Sequence, residues 1–306
     1  MPPRSPQLTR RRFGGGLLLG TLGLGALALA ARRPNEQKDT MPKSEGSPTP
    51  AGRTPVGFLA HGAPTLALDA ERGADFRRWG EALGKPRALL VVSAHWEGAP
   101  VSIGTTERRE LMYDFSGFPH ALYQVRYPSP GAAELGERVA GLLGAGVRRE
   151  PTRALDHGVW VPLVHMFPNA DVPVLQISMP SALGSKELFA LGQRLAPLRD
   201  EGVLILGSGN LTHNLRRLDW RGSGGTPAWA SEFDSWIADV LMRQDFDTLV
   251  DYRTKAPALA ENHPTEEHLQ PVLVVAGAAA SGAAAVSFPV QGFEYGSLSR
   301  RSVQLG

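Results

Sequence analysis

Five apolar runs of five to eight residues punctuate the chain: VGFLA (56–60), ALLVVSA (88–94), VPVLQISM (172–179), VLILGSG (203–209) and AAAVSF (283–288). They are short, rich in β-branched or small residues and bounded by turn formers, as strands buried on both faces are. Helix-compatible stretches lie between them, at 74–83, 132–143, 185–198, 228–243 and 268–279. This alternation predicts an α/β fold: a single domain with a central, mostly parallel sheet flanked by helices. Ligands of such sheets bind outside the carboxyl ends of the strands. The residues just past each run are therefore the ones to inspect for chemistry.

Histidines occupy those places. The 306-residue chain has eight of them and no cysteine. His61 ends the first run, His95 ends the second, His213 follows VLILGSGNLT, and His268 opens LQPVLVVAGAA after the polar cluster ENHPTEE. A fifth, His157, stands beside Asp156 in LDHGVWVPL. Without cysteine there are no disulfides, thiolate sites or cysteine nucleophile, so any metal is held by nitrogen and oxygen ligands. The Gly-rich GSGN at 207–210 lacks the lysine and spacing of a phosphate-cradling loop. His165, in PLVHMFPN, reads as a core histidine, and Trp79, Trp229 and Trp236 read as core or interface residues.

The amino-terminal part follows different rules. Thr9-Arg10-Arg11-Arg12-Phe13 precedes an uncharged Gly/Leu/Ala stretch, with Ala26, Ala28 and Ala30 ahead of Arg32. Residues 1–31 are expected to be a twin-arginine-type export signal, which makes the mature protein periplasmic or extracytoplasmic; a retained membrane anchor is the competing reading. Residues 32–54, rich in Pro, Ser, Gly and charge, are expected to be a flexible linker to a catalytic domain over 55–306. Removing residues 1–31 takes four arginines and no acid, so the formal charge of +2 becomes −2. No Lys/Arg cluster remains in the mature part, which argues against a nucleic-acid partner. Nothing in the sequence fixes the oligomeric state.

Several further segments complete a pattern: YDFSGFP (113–119), YQVRYP (123–128) and HPTEEH (263–268). With the histidine segments above, they occur in the order of the DOPA-dioxygenase-type branch of the class III extradiol ring-cleavage dioxygenases, which this chain resembles over roughly residues 55–296. The resemblance implies one divalent metal per chain at the carboxyl edge of the sheet, with His61, His95 and His268 as ligands. It also implies that His213 is the catalytic acid/base and that His157 lines the substrate pocket. His120 falls where the family varies and is expected to be exposed. More distant relatives, which cleave protocatechuate, use a glutamate as third ligand. Here His263, Glu266 and Glu267 lie within five residues of His268 and remain alternatives to it.

An all-imidazole site suits Fe(II), which the expected oxygen chemistry requires, and Zn(II) is an alternative occupant favoured by affinity. The implied partners are a small aromatic diol and O2, with no stable membrane insertion once the signal is removed. A zinc-dependent hydrolase and a non-catalytic metal-binding protein on the same scaffold are the other readings. The aromatic-rich YDFSGFP favours a flat ring as ligand, and the full set of candidate ligands favours catalysis.

Overall fold

In the computed structural model the described residues are 52–107, 110–221, 224–282 and 285–306. The expected export signal lies outside them, as does the expected linker up to residue 51. The apolar runs become strands because burial leaves no backbone amide free to bond water, so neighbouring strands must pair. They are β1 (Val56–Ala60), β2 (Ala88–Glu97), β3 (Ser102–Gly104), β4 (Arg148–Glu150), β5 (Val174–Met179), β6 (Val203–Gly209), β7 (Val286–Val290), β8 (Phe293–Glu294), β9 (Leu298–Ser299) and β10 (Ser302–Leu305). Eight form one sheet in the order β4-β3-β5-β2-β6-β1-β10-β7, and β8 pairs with β9. The central four, β5-β2-β6-β1, are parallel. Antiparallel pairing begins on either side of them, at β3 against β5 and at β10 against β1.

The helices are α1 (Ala74–Leu83), α2 (Ala133–Leu143), α3 (His157–Met166), α4 (Ser185–Leu195), α5 (Ala228–Met242), α6 (Phe246–Val250), α7 (Tyr252–Lys255), α8 (Leu259–Asn262) and α9 (Pro271–Ala279). Side chains alternate across the central strands and so feed two separate cores. Phe58, Leu90, Val92, Ile177 and Ile205 pack with α2, α4, α5 and α9. Leu59, Leu89, Val91, Leu204 and Leu206 pack with α1 and α3 on the opposite face. Gly192 and Gly277 let α4 and α9 cross closely, since a Cβ on either would lie 2.0 Å from a carbonyl oxygen of the other helix.

Structure and sequence reading differ in several elements, and β3, β4, β8–β10 and α6–α8 were not among the runs and stretches the sequence marked out. The fifth strand spans 286–290 rather than 283–288, and residues 283 and 284 lie outside the described set. The last helix begins at Pro271, so His268 sits in the turn before it rather than on it. Helix α3 gave no amphipathic signal because nine of its ten residues are buried, and Pro162 lies inside it. Residue 54, at the end of the expected linker, is bonded to the domain. Thr54 donates its N–H to the Arg199 carbonyl (3.1 Å) and accepts the Arg199 guanidinium on its own carbonyl (2.7 Å).

Candidate metal centre

The parallel strands deliver the histidines to one edge of the sheet. His61 is the first residue past β1, and the chain turns at once through Gly62 (φ 62°), where a Cβ would lie 2.5 Å from the Glu294 carboxylate. That carboxylate accepts the Ala63 N–H and is paired with Arg72 at 2.8 Å, which fixes the loop's exit. His95 lies near the carboxyl end of β2 and His213 lies four residues past β6. His157 is the first residue of α3. His268 is brought in by backbone contact, because its carbonyl accepts the Asn210 N–H (3.0 Å) and a Cβ on Gly209 would lie 2.0 Å from that oxygen. The glycines of GSGN thus serve close chain packing.

Five imidazoles converge. The ring centroids of His61 lie 4.9 Å from His95, 5.3 Å from His268 and 5.5 Å from His157. His95 lies 4.0 Å from His157 and 4.9 Å from His268. His213 stacks on His268 at 3.4 Å and 10°. Ligand atoms of His61, His95 and His157 fall within 4.8 Å of one another, as do those of His213, Glu267 and His268.

The hydrogen bonds decide which nitrogens are free. Nδ1 of His268 is held by the Glu267 carboxylate at 2.9 Å, so it carries the proton. Nε2 of the same ring is buried and has no hydrogen-bond partner among the described residues, a costly state for a polar atom unless something binds there. Nδ1 of His61 is 2.9 Å from the Ser208 hydroxyl, and Nε2 of His61 is 3.2 Å from Nε2 of His95. Two nitrogens each about 2.1 Å from one cation stand about 3.0–3.4 Å apart at octahedral to tetrahedral angles. A divalent ion that accepts imidazole fits these residues.

Burial, reinforced by the neighbouring imidazoles, holds His61 and His268 well below the usual histidine pKa. Burial and then the field of His157 lower His95 to about 3, against the pull of Asp114. Burial lowers His213 to about 4, with His263 adding to the effect. Every one of these rings is neutral at pH 7, the state that offers a lone pair.

The remaining candidates separate on contacts. Nε2 of His263 reaches the Leu211 carbonyl (2.8 Å) and its ring packs on Phe233. Glu266 is occupied by the Tyr252 hydroxyl and the Arg253 guanidinium. His165 is buried with Nε2 on the Leu66 carbonyl (2.8 Å), and His120 is exposed. Sequence reasoning passed over Ser208 and Asp114. Asp114 Oδ1 accepts from both the backbone N–H (3.0 Å) and Nδ1 (2.9 Å) of His157, so it caps α3 and orients that ring together. Asp114 lies in the quoted YDFSGFP, but only the fold carries it to a residue 43 positions away. Beyond His157 stands an aromatic wall: Phe115 lies 5.7 Å from it, with Tyr113, Tyr123, Phe118 and Trp160 packed around Phe115.

A central parallel sheet with a buried imidazole cluster at its carboxyl edge, facing an aromatic wall, describes a metal-dependent enzyme for an aromatic substrate. Residues 59–304 match the family model of the catalytic LigB subunit of aromatic ring-opening dioxygenase, and the chain belongs to that family of class III extradiol ring-opening dioxygenases. It is 43% identical over 230 residues to a 4,5-DOPA dioxygenase extradiol of Beta vulgaris, covering 72% of this chain and 85% of that one. It is 38% identical over 260 residues to a protein of the same name from Escherichia coli K12, covering 83% and 95%. The crystal structure of an uncharacterized protein of Escherichia coli K12 superposes with a TM-score of 0.72 at 35% identity, covering 83% of this chain and all of that one.

Proposed function

We propose that the chain opens the ring of a catechol, of the kind named for its relatives, with one Fe(II) held by His61, His95 and His268. The observation that carries this is the buried Nε2 of His268, which has no hydrogen-bond partner among the described residues, on a ring 5.3 and 4.9 Å from the rings of His61 and His95, whose own Nε2 atoms face each other. The ligand atoms of His157 group with those of His61 and His95, and a carboxylate holds its Nδ1 as Glu267 holds that of His268; its ring, however, abuts Phe115 of the aromatic wall, so we assign it to the substrate. Zn(II) is the competing occupant, since imidazole sites bind it more tightly than Fe(II).

Bound Fe(II) would supply the Lewis acidity and one-electron chemistry through which a diol and O2 react. The chain's own residues do the rest. Phe115 and its neighbours stack the flat ring and exclude water. His213, neutral at pH 7 and lying flat on His268, accepts a proton from a diol hydroxyl and later returns it. His157, fixed by Asp114, offers its other nitrogen as a hydrogen-bond acceptor to the second hydroxyl. The arginine pair at 10 and 11 supports export of the folded, loaded protein by the twin-arginine route.

The test is oxygen uptake. Protein purified without air and loaded with Fe(II) is expected to consume one O2 per catechol, with a yellow, conjugated product. Turnover without O2, or ester hydrolysis by the zinc form, would replace this reading with a hydrolase.

A further inference from the structure

Pro162 lies inside α3 and has no N–H, so it cannot bond the carbonyl four residues back, which belongs to Gly158. The donor that reaches that carbonyl is the Ser208 hydroxyl, at 2.5 Å. A carbonyl only accepts, so Ser208 spends its single hydrogen there. Toward His61, 2.9 Å away, Ser208 is then an acceptor, and the His61 proton must sit on Nδ1. Nε2 of His61, the nitrogen facing His95, is left as a bare lone pair. Gly158 is part of the arrangement, because a Cβ there would lie 2.8 Å from Ser93 Oγ and 2.9 Å from His95.

We infer that Pro162 is a positioning residue for the metal site: by denying Gly158 a helical partner it polarises Ser208, and Ser208 in turn locks His61 in the tautomer whose Nε2 can bind a metal. The inference rests on His61 acting as a ligand, as proposed above. The proline that interrupts the helix is thus tied to the chemistry at the end of β1 through two hydrogen bonds. Restoring an N–H at position 162 would give Gly158 its helical donor. The Ser208 hydrogen would then be free to turn toward His61, favouring the tautomer with Nε2 blocked.

The experiment measures zinc affinity by chelator competition for the parent, Pro162→Ala, Ser208→Ala and the double variant. It also reads the His61 tautomer from ring-nitrogen NMR shifts of the metal-free protein labelled with 15N-histidine and assigned with His61→Gln. The parent is expected to carry the His61 proton on Nδ1. Pro162→Ala should weaken zinc binding on the order of tenfold and move proton density to Nε2, and Ser208→Ala should weaken it roughly 10–100-fold. The double variant should bind no worse than Ser208→Ala, because Pro162 acts only through that hydroxyl. A His61 proton on Nε2 in the parent, zinc binding by Pro162→Ala within twofold of the parent, or additive losses in the double variant would each overturn the inference. If Pro162→Ala does not fold, the parent tautomer and Ser208→Ala still decide it. Loss of zinc affinity by none of the variants, including His61→Gln, would instead overturn the assignment of His61 as a ligand.

Discussion

A histidine becomes a ligand or a proton carrier according to what holds its other nitrogen. Glu267 holds Nδ1 of His268 and leaves Nε2 bare, whereas Asp114 holds His157 against the aromatic wall. Replacing His61, His95 or His268 by Ala is therefore expected to remove most of the bound metal, and His157→Ala to retain it, as read by metal analysis after gel filtration. Metal retained by His268→Ala but lost from His157→Ala would exchange their roles. His213→Ala should keep both metal and fold while turnover falls by roughly 10²–10⁴, the usual worth of a positioned acid/base. These roles could be anticipated from the family resemblance, with His61, His95 and His213 just past apolar runs and His268 just before one. The supporting Ser208 and Asp114 could not, because nothing in a serine within GSGN or an aspartate within YDFSGFP reveals its distant partner.

At the level of elements, the four central strands and the helices α1, α2, α4 and α5 announced themselves by period and by their bounding turns. Helix α3 did not. A helix buried all round has no polar face to produce a 3.6-residue rhythm, and Pro162 argues locally against one. The contact between the end of β6 and the segment before α9 was also hidden. Gly209 there is a spacer: its missing Cβ admits the His268 carbonyl, and the adjacent Asn210 N–H bonds that oxygen. Gly209→Ala is expected to cost about 3 kcal/mol, at the upper end for overpacking a close backbone contact, and to weaken metal binding as His268 is displaced. Urea unfolding of the metal-free protein and zinc competition measure the two effects separately. A Gly209→Ala protein with parental stability and affinity would mean that the segment yields without consequence.

For the whole molecule, the buried histidines tie stability to pH. Burial lowers His263 to about 4 in the folded state, while in the unfolded chain it titrates near its ordinary value of about 6.5. Between those values the unfolded state binds more protons. The stability contributed by keeping this ring neutral is thus complete above about pH 6.5 and is lost as pH falls toward 4, by at most about 1.4 kcal/mol per pH unit for one group. His213 and His95 shift the same way. The metal-free protein should show a Tm that falls steeply over that window, and His263→Gln, whose amide can still donate to Leu211, should flatten the fall. A flat parent profile would contradict it. Export belongs to this scale as well: changing Arg10 and Arg11 together to Lys should leave the precursor in the cytoplasm, folded and loaded. Fractionation showing parental export would point to an anchor or a different signal.

The sequence by itself determined the fold class, the edge of the sheet where chemistry gathers and the exclusion of thiolate ligands, whereas the choice among the histidines came from the family resemblance. Each of the first three follows from local order, because period, turn residues and composition are properties of neighbouring positions. Only the tertiary structure decided which nitrogen of His61, His157 and His268 is free. It also decided that Glu266 and His263 are engaged elsewhere and that residues 43 and 147 positions away orient His157 and His61. Those outcomes depend on hydrogen bonds across the sheet edge, and a proton on one ring nitrogen is placed by whatever the fold sets against it.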